Sequence, residues 1–87
     1  MELVLEKRLK KYALACIQDN FCWYLRSLGY DVGWDMVTAV EQATKTMSKS
    51  VARSLRDMYE RDMGENAVKF IVVPVVIDYS LVKEIED

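Results

Sequence analysis

Residues 68–79 read Val-Lys-Phe-Ile-Val-Val-Pro-Val-Val-Ile-Asp-Tyr, and Lys69 and Asp78 are their only charges. The run is rich in β-branched side chains, whose stiff χ1 suits a pleated surface better than a helix. Apolar residues at both odd and even positions predict a strand buried on both faces. About ten apolar residues are too few to cross a bilayer, so the run reads as core. A buried strand must pair its N–H and C=O groups. No other segment carries a strong strand pattern, so the pairing partner is expected from a hairpin, from the last few residues or from a second copy of the chain. Pro74 has no N–H and belongs on an edge, at a bulge, or at a bend in a tight hairpin of 68–73 with 75–82.

The rest of the chain carries a helical period. Residues 2–28 wind into a single long helix, with Glu2 and Glu6 at its positive end and Gly29 placed to cap it. At about 100° per residue, two apolar stripes emerge. Leu3, Leu14, Ile17, Phe21, Leu25 and Leu28 form one; Leu5, Leu9, Tyr12, Cys16 and Trp23 form the other, nearly opposite. A surface helix needs one stripe, so the second is assigned to another subunit. A break at Asp19-Asn20 is the alternative, because both residues favour caps and turns.

Gly29-Tyr30-Asp31-Val32-Gly33 is the clearest turn. Residues 34–63 again repeat in threes and fours, with Val37, Val40, Thr44, Met47, Val51, Leu55 and Met58 on one face. They predict a second long helix, weakest over 44–50, where Thr and Ser cluster, so that one helix or two would fit. Arg53–Asp57, Arg56–Glu60 and Asp57–Arg61 have the spacing of i,i+4 ion pairs.

Composition narrows the chemistry. Eighty-seven residues, 52% hydrophobic, with three Gly and one Pro, predict a single ordered domain over 1–87. The net charge of −2 gives no general attraction to nucleic acid or anionic lipid. The acid-first N-terminus has no secretion signal, no segment reads as a membrane span, and a cytoplasmic protein is expected. Cys16 and Cys22 sit on the expected helix about 9 Å apart along its axis, too far to bridge, which fits a reducing compartment. The chain has no histidine, so the commonest general base and metal ligand are missing. No metal, cofactor or catalytic constellation is expected.

The string Ser48-Lys49-Ser50-Val51-Ala52-Arg53-Ser54-Leu55-Arg56-Asp57-Met58 resembles the second helix of helix-turn-helix DNA-binding proteins. The resemblance implies a Ser cap, inward Val and Leu, and Arg side chains in the groove. It covers about eleven residues. It departs from the pattern at Lys45-Thr46-Met47, where a small residue or Gly belongs in the turn. The contacts it implies are Lys45, Lys49, Arg53 and Arg56. Phe21, Trp23, Tyr24, Tyr30 and Trp34 concentrate aromatic surface around the first turn and read as core or subunit interface.

The combined expectation is an α+β domain, mainly helical, of two long amphipathic helices followed by a C-terminal strand or tight hairpin. It would be a homodimer joined through Leu5, Leu9, Tyr12, Cys16, Trp23, Phe70, Ile71, Val72, Val73 and Val75. Its expected role is non-enzymatic: an inhibitor or accessory factor, of the kind a virus or mobile element encodes, that binds another protein. A nucleic-acid-binding regulator using the basic face from Lys45 to Arg56 is the alternative.

Overall fold

A computed structural model describes residues 2–29 and 31–84, with side chains over 8–29 and 31–77. The chain forms β1 (Glu2–Gln18), β2 (Phe21–Ser27), β3 (Trp34–Val37), α1 (Lys49–Met63) and β4 (Ile71–Glu84). Short 3-10 turns lie at Val40–Gln42 and Gly64–Asn66. The four strands make one antiparallel sheet in the order β3-β2-β1-β4. The expected pair of long helices is overturned, and sheet dominates the described residues. Residues 2–28 are a β-hairpin, and 34–48 are strand and turns. Only 49–63 are α-helical.

Asp19 and Asn20 explain the first error. Both take positive φ, 49° and 68°, the conformation that a two-residue type I′ hairpin turn requires. Gln18 then faces Phe21, and the ladder runs back to Ala15 opposite Tyr24. The Leu, Lys, Glu and Ala residues of β1 favour a helix only weakly, and pairing across fourteen positions with β4 overrides that preference. The two stripes read from this segment each mix odd and even positions, whereas the faces of β1 divide by parity, with Leu14 and Cys16 on one and Ala13 and Ala15 on the other. Trp23, read as pointing away from Phe21 and Leu25, shares their face of β2.

β1 therefore supplies the partner that β4 seemed to lack. Its residues 2–15 pair with 84–71, from Glu2 opposite Glu84 to Ala15 opposite Ile71. The partner is thus residues 2–15, and not a hairpin within 68–82, the last few residues or a second copy. Pro74 lies opposite Tyr12, whose own N–H and C=O bond to Thr46 on the other side, at 2.9 and 2.8 Å. Tyr12 and Pro74 are thus a non-hydrogen-bonded pair, and the proline nitrogen faces outward on an edge strand, where no donor is needed. Neither a bulge nor a bend is required. Ile71 and Val76 are exposed, so β4 is not buried on both faces as expected.

The sheet has a covering on each face. On one, Leu14, Cys16 and Leu25 pack with Ala52 and Tyr59 of α1 and with Phe70. Tyr59 meets Trp34 and Phe70 edge-on, with ring centroids 5.7 and 5.2 Å apart. On the other, Ala13 and Val37 pack with Ala43 from the segment that follows β3, flanked by Tyr24, Val73 and Val75. Ser48 caps α1 by accepting from the Val51 N–H at 3.3 Å, and Gly64 ends it at φ 57°. The inward helical face is Ala52 and Tyr59 with half-buried Leu55, displaced from the face read in the sequence. Met47, Val51 and Met58 from that face are exposed.

Leu14 is 1% exposed at the centre of the larger core. Leu14→Ala is expected to lower unfolding free energy by about 2–5 kcal/mol in urea titrations. Tyr59→Phe removes the hydroxyl that accepts the Val68 N–H at 3.0 Å. It is expected to cost about 1 kcal/mol, the cost of a hydrogen bond lost at a half-buried donor, with little loss of packing.

Candidate binding groove

A concavity lies between the β2–β3 turn and the C-terminal half of α1. It encloses about 670 Å³ and is walled by Val32 and Trp34 on one side and by Leu55, Met58 and Met63 on the other. Asp31 and Asp62 supply its carboxylates. The turn is built from its glycines. Leu28 N–H donates to the Gly33 carbonyl at 3.0 Å, and Val32 N–H to that of Gly29 at 3.2 Å. Gly29 and Gly33 stand at φ 113° and 118°, a region that side chains resist. Asp31 takes φ 60°, which aspartate tolerates better than most residues.

Two polar contacts hold the walls. Trp34 Nε1 donates to Asp62 Oδ2 at 3.1 Å, tying β3 to the helix across the groove. Arg26 grips Asp35 with both arms of its guanidinium, Nε to Oδ1 at 2.8 Å and Nη2 to Oδ2. These residues face each other across β2 and β3, so the pair clamps the strands that carry the turn. The hydrogen bonds from Arg26 hold the Asp35 carboxyl below the usual aspartate range. Among the described residues no three His, Cys, Asp or Glu side chains gather as a metal site would need.

The residues expected at a subunit interface are scattered by the real fold. Cys16 and Phe70 are buried in the larger core, with Tyr12 and Val72 packed against it. Val73 and Val75 pack against the smaller core, and Leu9 is half-buried on β1. Trp23 and Ile71 remain at the surface, on opposite faces of the sheet. Leu5 takes its place in the ladder opposite Leu81, and its side chain lies outside the described residues, as does all of Tyr30. Cys16 and Cys22 occupy opposite sheet faces, which keeps them apart for a reason other than helical spacing.

The basic string does not form a helix-turn-helix. α1 is preceded by an extended segment bonded to Tyr12, not by a helix. Lys45 Nζ donates to the Glu41 and Ala43 carbonyls, Arg56 Nη1 to that of Phe70, and Lys49 stands over the Tyr12 ring. The sequence reading missed the groove. Its signal was the Gly-x-x-x-Gly turn beside Leu55, Met58 and Asp62, spaced to line one helical edge. No protein-family model, curated protein or solved structure matches the chain.

The Arg26–Asp35 clamp yields a pH prediction. Because the folded-state pKa of Asp35 is depressed, its contribution is present above the usual aspartate range and disappears as pH falls through the depressed value. Asp35→Asn is therefore expected to be less stable than the parent at neutral pH and to converge with it in acid. Urea titrations at a series of pH values measure this, and a pH-independent gap would exclude the clamp as the cause.

Proposed function

We propose that the protein is a non-catalytic binding module that seats an apolar segment of another protein in the groove beside α1, with basic residues flanking that segment. The observation that carries this reading is the combination of five apolar walls with two carboxylates in one concavity. Met58 and Val32 are 45% and 67% exposed, an arrangement that costs solvation unless a partner covers it. Met is suited to such a site, since its unbranched, polarisable side chain repacks around different shapes. The Asp31 and Asp62 carboxylates favour Lys or Arg beside the anchor and disfavour acidic segments.

A protein acting this way blocks or adapts its partner by occupying a segment of it. The mode matches helix-in-groove or extended-peptide recognition, in which a few large side chains carry most of the affinity.

Selection of short displayed peptides on the purified protein is expected to return sequences with large apolar anchors flanked by Lys or Arg. Met58→Asp is expected to weaken the selected peptides by roughly tenfold or more, as loss of an anchor pocket does. Ser54→Asp, on the exposed side of α1, is expected to leave them unchanged. Acidic selected sequences, or undiminished binding to Met58→Asp, would overturn the reading.

A further inference from the structure

β3 forms the edge of the sheet opposite β4, and among the described residues it pairs only with β2. Two backbone hydrogen bonds settle which of its groups turn outward. Leu28 N–H donates to the Gly33 carbonyl at 3.0 Å, so Gly33 faces β2, and by strand alternation Asp35 and Val37 face it too. Leu25, one residue out of step with Arg26, instead gives its carbonyl to the Thr44 N–H at 3.1 Å. Trp34 and Met36 therefore direct their N–H and C=O groups away from β2, along the sheet edge. The side chains divide by the same parity. Trp34 packs against the larger core under α1, and Met36, 45% exposed, follows it on that face. Asp35 projects from the other face, held by Arg26, with 35% of its side chain accessible. β3 carries neither the proline nor the lysine that often blunts an edge, and at Trp34 it is continuous with the groove wall.

We propose that the partner segment seated in the groove is bound as an extended strand, added antiparallel to β3, with apolar residues opposite Trp34 and Met36 and a Lys or Arg opposite Asp35. The proposal rests on the groove reading above and specifies how the segment is held. Antiparallel addition continues the pattern of the whole sheet, and it lets two partner residues exchange N–H and C=O bonds with Trp34 and with Met36. Their Cβ atoms then stand about 5 Å from those of Trp34 and Met36, beside the groove that Trp34 walls. The residue between them turns to the far face, next to the Asp35 carboxylate. A cation there extends the Arg26–Asp35 pair into a row of alternating charge, and an acid meets like charge. The same carboxylate disfavours a second copy of this chain. Antiparallel self-pairing that uses both outward residues sets Trp34 against Met36 and so opposes Asp35 to itself. A strand of only four residues suits a short segment better than the long edge of another sheet.

The peptides selected on the purified protein provide the test. N-methylation of the backbone amide at either apolar position is expected to raise Kd by roughly fivefold, the loss of one hydrogen bond to the edge. N-methylation of the basic residue between them is expected to change Kd little, because its N–H points away from β3. Exchanging that basic residue for Glu is expected to weaken binding by roughly fivefold. Met36→Pro removes an outward N–H and leaves the bonds to β2 in place, so it is expected to keep the parent's circular dichroism and bind roughly tenfold more weakly. Met36→Leu, which keeps the N–H, is expected to bind like the parent. In the unaltered protein, exchange of the Met36 amide proton is expected to slow by roughly tenfold when peptide binds. An unchanged Met36 exchange rate would overturn the proposal and leave the groove reading standing. The same holds for peptides that need Met58 yet are sensitive to N-methylation at consecutive positions, as a helix is, or at none. Binding indifferent to Met58→Asp would remove the groove reading, and this proposal with it.

Discussion

The pairing of β1 with β4 is the constraint from which the remaining structure follows. It spans the described chain nearly end to end, joining Glu2 to Glu84 and Ala15 to Ile71. Closing so long a loop is costly in chain entropy, and everything between must fold compactly to offset that cost. β1 meets the demand by serving three neighbours in turn: β4 along its length, β2 at 15–18, and the Thr46 backbone at Tyr12. The most deeply buried stretch, Ala13 to Cys16, is where these neighbours converge. Small alanines alternate there with Leu14 and Cys16, so the helix face receives the bulk while the other face admits the close approach of the segment after β3.

The same arrangement leaves the groove. α1 buries Ala52 and Tyr59 against Leu14, Leu25 and Phe70, which fixes its rotation over the sheet. Leu55, Met58 and Met63 are then turned toward the 28–33 turn and not fully under the helix. Trp34 belongs to both environments. Its ring packs on Tyr59 in the core, while its indole N–H reaches Asp62 at the groove. The shape of the groove thus depends on core packing, and the Arg26–Asp35 pair keeps β2 and β3 in register behind it.

Part of this was legible in the sequence. The β character of 71–77, the Gly29–Gly33 turn, the Ser48 cap and a helix through 49–63 all carry local signals that tertiary structure did not override. The first strand was hidden because its residues are good helix formers and because a strand covered on both faces has no period of two in its apolar positions. Tyr12 to Ile17 is an unbroken apolar run. Wound at 100° per residue, such a run produces opposed stripes, and opposed stripes in a chain this short are themselves a sign of a two-sided strand. Asp19-Asn20 was the decisive pair, since two adjacent residues that tolerate positive φ mark a hairpin more strongly than a helix interruption. The groove was beyond local reading. It joins residues from two elements whose relation is set by the β1–β4 ladder.

The two ends of α1 meet different surroundings. Lys49, at the start of α1, stands over the Tyr12 ring, whereas Met63, at its end, lines the groove. Fifteen residues of helix separate them by about 22 Å. Salt screens exposed charge such as that of Lys49 and has less effect on the apolar walls of the groove. One helix thus carries two ends whose surroundings respond differently to conditions, and the packing of Ala52 and Tyr59 between them holds both in place.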